Sequence, residues 1–192
     1  MVKGVSKQKL TRSGNLGEKK IKDVLRGLPR NCVVINDVIM KTKTGTTQID
    51  HIIVSVYGIF VIETKNHTGV IFGSDNSRYW TQVLYNGAHK LFFNPVVQNF
   101  GHIRQLSKLL NIGAGYFCNL IVFSNDSVNI SNIQSMYTGN VNMLVNYLNM
   151  PRKEILSTYD VQEVAKKIKS LNVNSVYFKQ KHKKYVQALQ FK

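Results

Sequence analysis

Acidic residues are scarce in this chain: ten Asp and Glu stand against twenty-six Lys and Arg in 192 residues, a formal charge of +16. Such an imbalance points to a polyanionic partner, because cationic side chains that neutralise phosphates gain affinity by releasing condensed counterions. Nucleic acid is the commonest such partner, and an anionic membrane surface is the other. Long apolar runs are missing too. No stretch approaches the roughly eighteen residues needed to span a bilayer, and the basic N-terminus lacks the apolar segment of a signal peptide. Cysteine is limited to Cys32 and Cys118, far apart and without metal-type or redox-type spacing. Both are expected to be reduced core residues, which suits a cytoplasmic protein. Internal repeats and low-complexity tracts are absent. What remains, at 43% hydrophobic residues, is enough to bury a core and excludes a disordered chain.

The apolar pattern alternates between helix and strand. Residues 1–13 carry Lys3, Lys7, Lys9 and Arg12 without an acid and read as a mobile basic arm. Asn15 with Glu18 three positions later reads as a capping box opening a helix to about Leu25. Cys32 to Met40 reads as a strand. Thr47 to Lys65 is almost continuously β-branched and aromatic, broken at Tyr57-Gly58, and is expected to form a hairpin at the centre of the sheet. Residues 66–93 suggest short strands with no clear boundaries. Asn94-Pro95 marks a helix start, with Val97, Phe100, Ile103, Leu106 and Leu110 as its apolar stripe. Residues 119–124 read as a buried strand, 134–150 as a short strand and a helix, and 160–171 as a helix. The order predicts an α/β domain with a mixed central sheet flanked by helices. Its expected organisation is the arm 1–13, a core 14–125, an α/β extension of the same domain at 126–176, and a lysine-rich tail at 177–192.

Against so few acids, Gln48-Ile49-Asp50-His51 followed by Glu63-Thr64-Lys65 at the end of an apolar hairpin is conspicuous. Glu63 and Lys65 share a strand face. Asp50 joins that face only if an even-numbered loop, of two or four residues, connects the two strands, or if a bulge intervenes. Two carboxylates beside an ammonium then offer hard oxygens to Mg²⁺ or Mn²⁺, which takes one or two carboxylates and leaves room for water and phosphate. The alternative is an exposed ion pair at a sheet end, worth under about 1 kcal/mol. His51, alternating away from Asp50, reads as a packing or hydrogen-bonding residue. Trp80 and the tyrosines read as core more readily than as stacking surfaces for unpaired bases. Asn66 and His67, just past the lysine, are near enough to it to be candidates for contact with nucleic acid.

The ordered set of Gly17-Glu18, Gln48-Ile49-Asp50-His51, Gly58 to Lys65, Gly69, Gly73, Trp80 and Asn94-Pro95-Val96-Val97-Gln98-Asn99 resembles the nuclease-related domain (NERD) family of the PD-(D/E)XK nuclease superfamily, over roughly residues 14–125. The resemblance implies a restriction-endonuclease-like core. Asp50 and Glu63 would bind Mg²⁺ or Mn²⁺, the Thr64 carbonyl adding a ligand. Lys65 would be the catalytic lysine, with Glu18, itself a candidate ligand, and Gln98 completing the site. Ile49 replaces the leading proline of the motif, a position without chemistry. The expected function is a metal-dependent nuclease acting on DNA rather than RNA. The resemblance also admits a homodimer that cuts both strands. A non-catalytic nucleic-acid-binding module of a DNA-processing complex is the alternative, and an RNA-cutting protein a third reading.

Overall fold

The computed structural model describes residues 7–28, 31–43, 45–173, 178 and 180, with side chains from residue 16 onward. Residues 1–6 of the expected basic arm lie outside the described residues. So does the lysine-rich tail, apart from Phe178 and Gln180.

The elements in order are α1 (Lys7–Leu25), β1 (Cys32–Lys41), β2 (Thr46–Ser55), β3 (Gly58–Lys65), β4 (Gly69–Ser74), β5 (Tyr79–Val83), β6 (His89–Phe93), α2 (Pro95–Leu110), β7 (Phe117–Phe123), β8 (Val128–Gln134), β9 (Thr138–Asn140), α3 (Val141–Asn149) and α4 (Thr158–Leu171). A 3-10 turn at Ala114–Tyr116 precedes β7. The chain is a mixed α/β protein with two sheets: five strands in the order β1-β2-β3-β7-β9, and four in the order β6-β5-β4-β8. Both are mixed, because β1-β2-β3 and β4-β5-β6 pair antiparallel while β7-β9 and β4-β8 pair parallel. The second sheet is a departure from the single central sheet expected of the sequence. Its strands come from the segment 66–93, where glycines interrupt the alternation, and from β8, whose polar sequence hides it.

The chain divides into two compact units. The first comprises Met1–Gly27, Thr64–Val97 and Ile121–Met150, and the second Leu28–Glu63, Gln98–Leu120 and Pro151–Lys192. In the second unit, Ile49, Ile52, Val54, Ile59 and Val61 of the β2–β3 hairpin are buried with Ile103, Leu106 and Leu110 of α2 and Val161, Val164 and Ile168 of α4. Ile53, Phe60 and Ile62, which alternate with them on the hairpin, are buried too, so the hairpin has no apolar face left to solvent. In the first unit, Ile71, Trp80, Val96, Ile121 and Phe123 form the core, with Phe92, Ile133 and Tyr137 packed against them. Trp80 is wholly buried and donates Nε1–H to the Ser74 carbonyl at 2.9 Å, so it is a core residue.

Helix α1 starts earlier than its sequence suggests. Because the helix is continuous from Lys7, Asn15 is an interior position and Glu18 is not the third residue of a cap. The cap expected at Asn94 is present: its Oδ1 accepts from the backbone N–H of Val96 at 2.9 Å, and its Nδ2 donates to the carbonyls of Ser74, Asp75 and Ser77. One side chain thus starts α2 and pins the β4–β5 turn.

Candidate active site

Loop parity decides where Asp50 stands. β2 pairs with β3 through His51↔Ile62, Ile52↔Val61 and Ile53↔Phe60 down to Ser55↔Gly58, leaving Val56 and Tyr57 as a two-residue loop. The Ser55 hydroxyl accepts from the Tyr57 N–H at 3.2 Å, and Gly58 adopts φ 124°, a conformation that favours glycine. An even loop is the condition that sets Asp50 and Glu63 on one side of the hairpin. Each lies one residue beyond the pair His51↔Ile62, so the same register carried one step further sets them opposite each other.

Glu63 is only 4% exposed and is the one buried carboxylate of the ten. Gln98 donates Nε2–H to its Oε1 at 2.8 Å. His102 Nδ1 lies 3.7 Å from its Oε2. Gln98 and His102 are four residues apart on α2 and therefore share a helix face, so the helix brackets both oxygens of the carboxylate. The next residue, Asn99, is fully buried and donates Nδ2–H to the Val61 carbonyl at 2.8 Å and to Asn119 Oδ1 at 2.7 Å. These bonds fix the height of α2 against β3, and with it the position of Gln98.

His51 is buried and its Nδ1 lies 2.7 Å from Asn36 Oδ1, in keeping with a hydrogen-bonding role. The β1–β2 register runs Asn36↔His51 and then Val38↔Ile49, with Asp37 and Asp50 at the intervening positions. Asp37 has φ 56°, a left-handed conformation that Asp tolerates better than most residues. Neither Asp37 nor His102 is foreseen as a site residue by the sequence reading. The signals were there: Asp37 is one of the chain's ten acids, and His102 follows Gln98 by one helical turn.

The other expected residues, Glu18, Thr64 and Lys65, belong to the first unit. β3 is continuous through Lys65, so Glu63 and Lys65 alternate onto one side of it. The Lys65 carbonyl accepts from the Ser124 N–H at 3.0 Å. Gly17 sits so close to Ser124 and Asn66 that a Cβ there would overlap both side chains. The absence of a side chain at Gly17 therefore lets α1 lie against Asn66, the residue after β3, and Ser124. His67 is mostly buried, stacked against Phe92 with ring centroids 4.5 Å apart. Burial first, then the Lys65 charge, push its pKa down to about 4, so it is neutral near pH 7.

The sequence matches the nuclease-related domain over residues 13–124. The chain belongs to the nuclease-related domain family. An uncharacterized protein of Bacillus anthracis is 41% identical over 99 residues, covering 50% of this chain and 46% of that protein. The chain thus spans about half the length of this relative. No solved structure matches it. The nuclease-related domain contains all six residues expected at the site, from Glu18 to Gln98, and the buried Glu63–Gln98 pair lies inside it. Among the described residues no helix is long and apolar enough to cross a membrane.

Proposed function

We propose that this nuclease-related domain is a metal-dependent nuclease that hydrolyses phosphodiester bonds in DNA, with Asp50, Glu63 and Lys65 at its centre. The observation that carries the proposal is the buried Glu63 carboxylate, held by Gln98 at 2.8 Å one residue beyond the strand pair His51↔Ile62. A buried carboxylate is costly unless it is paired and hydrogen-bonded, and one retained in so basic a chain calls for a use.

The donor set fits a hard cation, since carboxylate oxygens are the ligands that Mg²⁺ and Mn²⁺ prefer. Asp50 and Glu63 would hold it, with the Thr64 carbonyl and Glu18 as further ligands. Among the described residues no group of three or more His, Cys, Asp and Glu gathers. When bound, such an ion supplies positive charge that polarises a phosphoryl oxygen and acidifies water. The chain's own groups do the rest. Gln98 fixes the rotamer of Glu63, as supporting hydrogen bonds do around metal-binding carboxylates. Lys65, two residues along the strand, orients the attacking water and stabilises charge on the phosphate as the bond breaks. The +16 charge supports backbone tracking without base reading. Two free cysteines suit a cytoplasmic setting.

Cleavage of plasmid and single-stranded DNA with Mg²⁺, Mn²⁺ or EDTA tests the reading. Glu63→Gln, Asp50→Asn and Lys65→Ala should each abolish cutting while DNA binding persists. Gln98→Ala should lower the rate about 10- to 100-fold. DNA that is bound but never cut by the unaltered protein would replace the nuclease with the non-catalytic binding module.

A further inference from the structure

We propose that the open face of the β6-β5-β4-β8 sheet is a stacking platform for single-stranded nucleic acid. The inference rests on the nucleic-acid reading above and specifies its substrate class.

The sheet has one covered face and one open face. Ile71, Trp80, Phe92 and Ile133 point into the core of the first unit. By strand alternation the residues between them point the other way. They are unusually apolar for a solvent face: Leu91 is 73% exposed, Tyr79 49%, Phe72 44% and Phe93 42%. The register aligns them in rows. Leu91 pairs with Thr81, Thr81 with Phe72, and Phe72 with Asn132, giving one row across all four strands, while Phe93 pairs with Tyr79 one step along. Three aromatic rings therefore stand on three adjacent strands, with exposed Asn132 beside them on β8. Unpaired bases stack on such rings whatever their sequence, and amide side chains can bond to base edges.

Charge complementarity selects the occupant. The Arg78 guanidinium lies 5.5 Å from the centroid of the Tyr79 ring, capping the platform with a cation. His89, on the same side of β6 as Leu91 and Phe93, is exposed. None of β4, β5, β6 and β8 contains an acid. Asp75 in the β4–β5 turn is the nearest carboxylate in sequence. An apolar protein partner would be served by the rings alone, whereas rings capped by the Arg78 guanidinium on strands without a carboxylate suit a strand that presents bases inward and phosphates outward. In a duplex the bases are already stacked on one another, so only a single strand can use the rings.

Fluorescence anisotropy of labelled oligo(dT) and of a duplex of equal length, both in EDTA, isolates binding from cleavage. Tyr79→Ala and Phe93→Ala should each weaken oligo(dT) binding by roughly tenfold and leave duplex binding unchanged. Tyr79→Phe should retain the affinity of the unaltered protein, since it keeps the ring. A folded Tyr79→Ala, Phe93→Ala double variant that binds oligo(dT) as tightly as the parent would overturn the platform, even if the metal-dependent nuclease stood. Equal weakening of duplex and oligo(dT) would also overturn it, by making the effect nonspecific. A parent protein that sediments as a dimer, and a double variant that sediments as a monomer with unchanged oligo(dT) affinity, would assign the face to a second copy of the chain instead.

Discussion

The two units bury different chemistry. Apart from Phe60 on β3, the fully buried core of the second unit is aliphatic, built of Ile, Val, Leu, Met and Ala from β1, β2, β3, α2 and α4 and their connecting segments. That of the first unit is centred on Trp80 and Phe123, with Phe92 and Tyr137 against them. β-Branched side chains are stiff and pack densely on both faces of a hairpin, which suits a unit that must hold Glu63 at a fixed height. Aromatic side chains fill a core with few residues, which suits short strands that leave their other face open. The comparison teaches that the hairpin positions a carboxylate, whereas the four-stranded sheet exposes a surface.

The largest test of that contrast is Trp80→Ala. If one aromatic residue organises the first unit, its removal should cost about 3–5 kcal/mol in urea denaturation. A loss no larger than the ~0.5 kcal/mol of ordinary surface changes would break the comparison. Because Trp80 is the sole tryptophan, intrinsic fluorescence of the unaltered protein reports the first unit alone, and circular dichroism reports the whole chain.

Acid should separate the units next. Burial and the Lys65 charge lower the His67 pKa from 6.5 to about 4. Above pH 6.5 the residue is neutral whether folded or unfolded and contributes nothing. Between pH 6.5 and 4 the unfolded chain binds a proton that the folded one refuses, so stability falls by up to roughly 3 kcal/mol. The loss should appear in Trp80 fluorescence, since Phe92 touches both His67 and Trp80. His67→Phe should flatten the dependence over this range. An unchanged slope in that variant would remove His67 as the cause.

Gly73→Ala is a finer probe of the aromatic core. A Cβ at Gly73 would overlap the Trp80 indole, so the substitution should cost about 1–3 kcal/mol by overpacking. A red-shifted Trp80 emission would accompany it. No stability change would mean that the indole has room to move, and that the first unit is more loosely packed than the second.

These contrasts explain what the sequence did and did not reveal. The β2–β3 register was legible because side-chain alternation and loop parity are local, and Val56 with Tyr57 satisfy the parity. The Gln98 position was legible only through the family resemblance, because a glutamine on a helix carries no periodic signal. Helix α1 was misjudged at its start, where Asn15 and Glu18 have cap spacing although the helix already runs from Lys7. β8 was missed because Val128, Ile130 and Ile133 do not alternate evenly: the β4–β8 register shifts between Val70 and Phe72, and such an irregularity breaks the period of two. His102 was passed over because its nearness to Glu63 arises from the packing of distant segments.

The smallest effect is expected at the N-terminus of α4, in the second unit. Ser157 and Asp160 form a reciprocal cap: the Ser157 hydroxyl accepts from the Asp160 N–H at 3.1 Å, and the Asp160 carboxylate accepts from the Ser157 N–H at 3.0 Å. Hydrogen bonds from the Ser157 hydroxyl and backbone hold the Asp160 carboxyl below its usual 3.8. A depressed carboxylate pKa contributes stability above the unfolded value that is lost as pH falls through the folded one, so this cap weakens only below about pH 4 and the His67 range is undisturbed by it. Ser157→Ala should lower the melting temperature by about 2–4 °C at pH 7. Since α4 packs its Val161, Val164 and Ile168 into the aliphatic core, circular dichroism should register that shift while the emission wavelength of folded Trp80 stays constant. A changed emission at low temperature would show that the cap influences the aromatic core as well, and the contrast between the two units would then be one of composition alone.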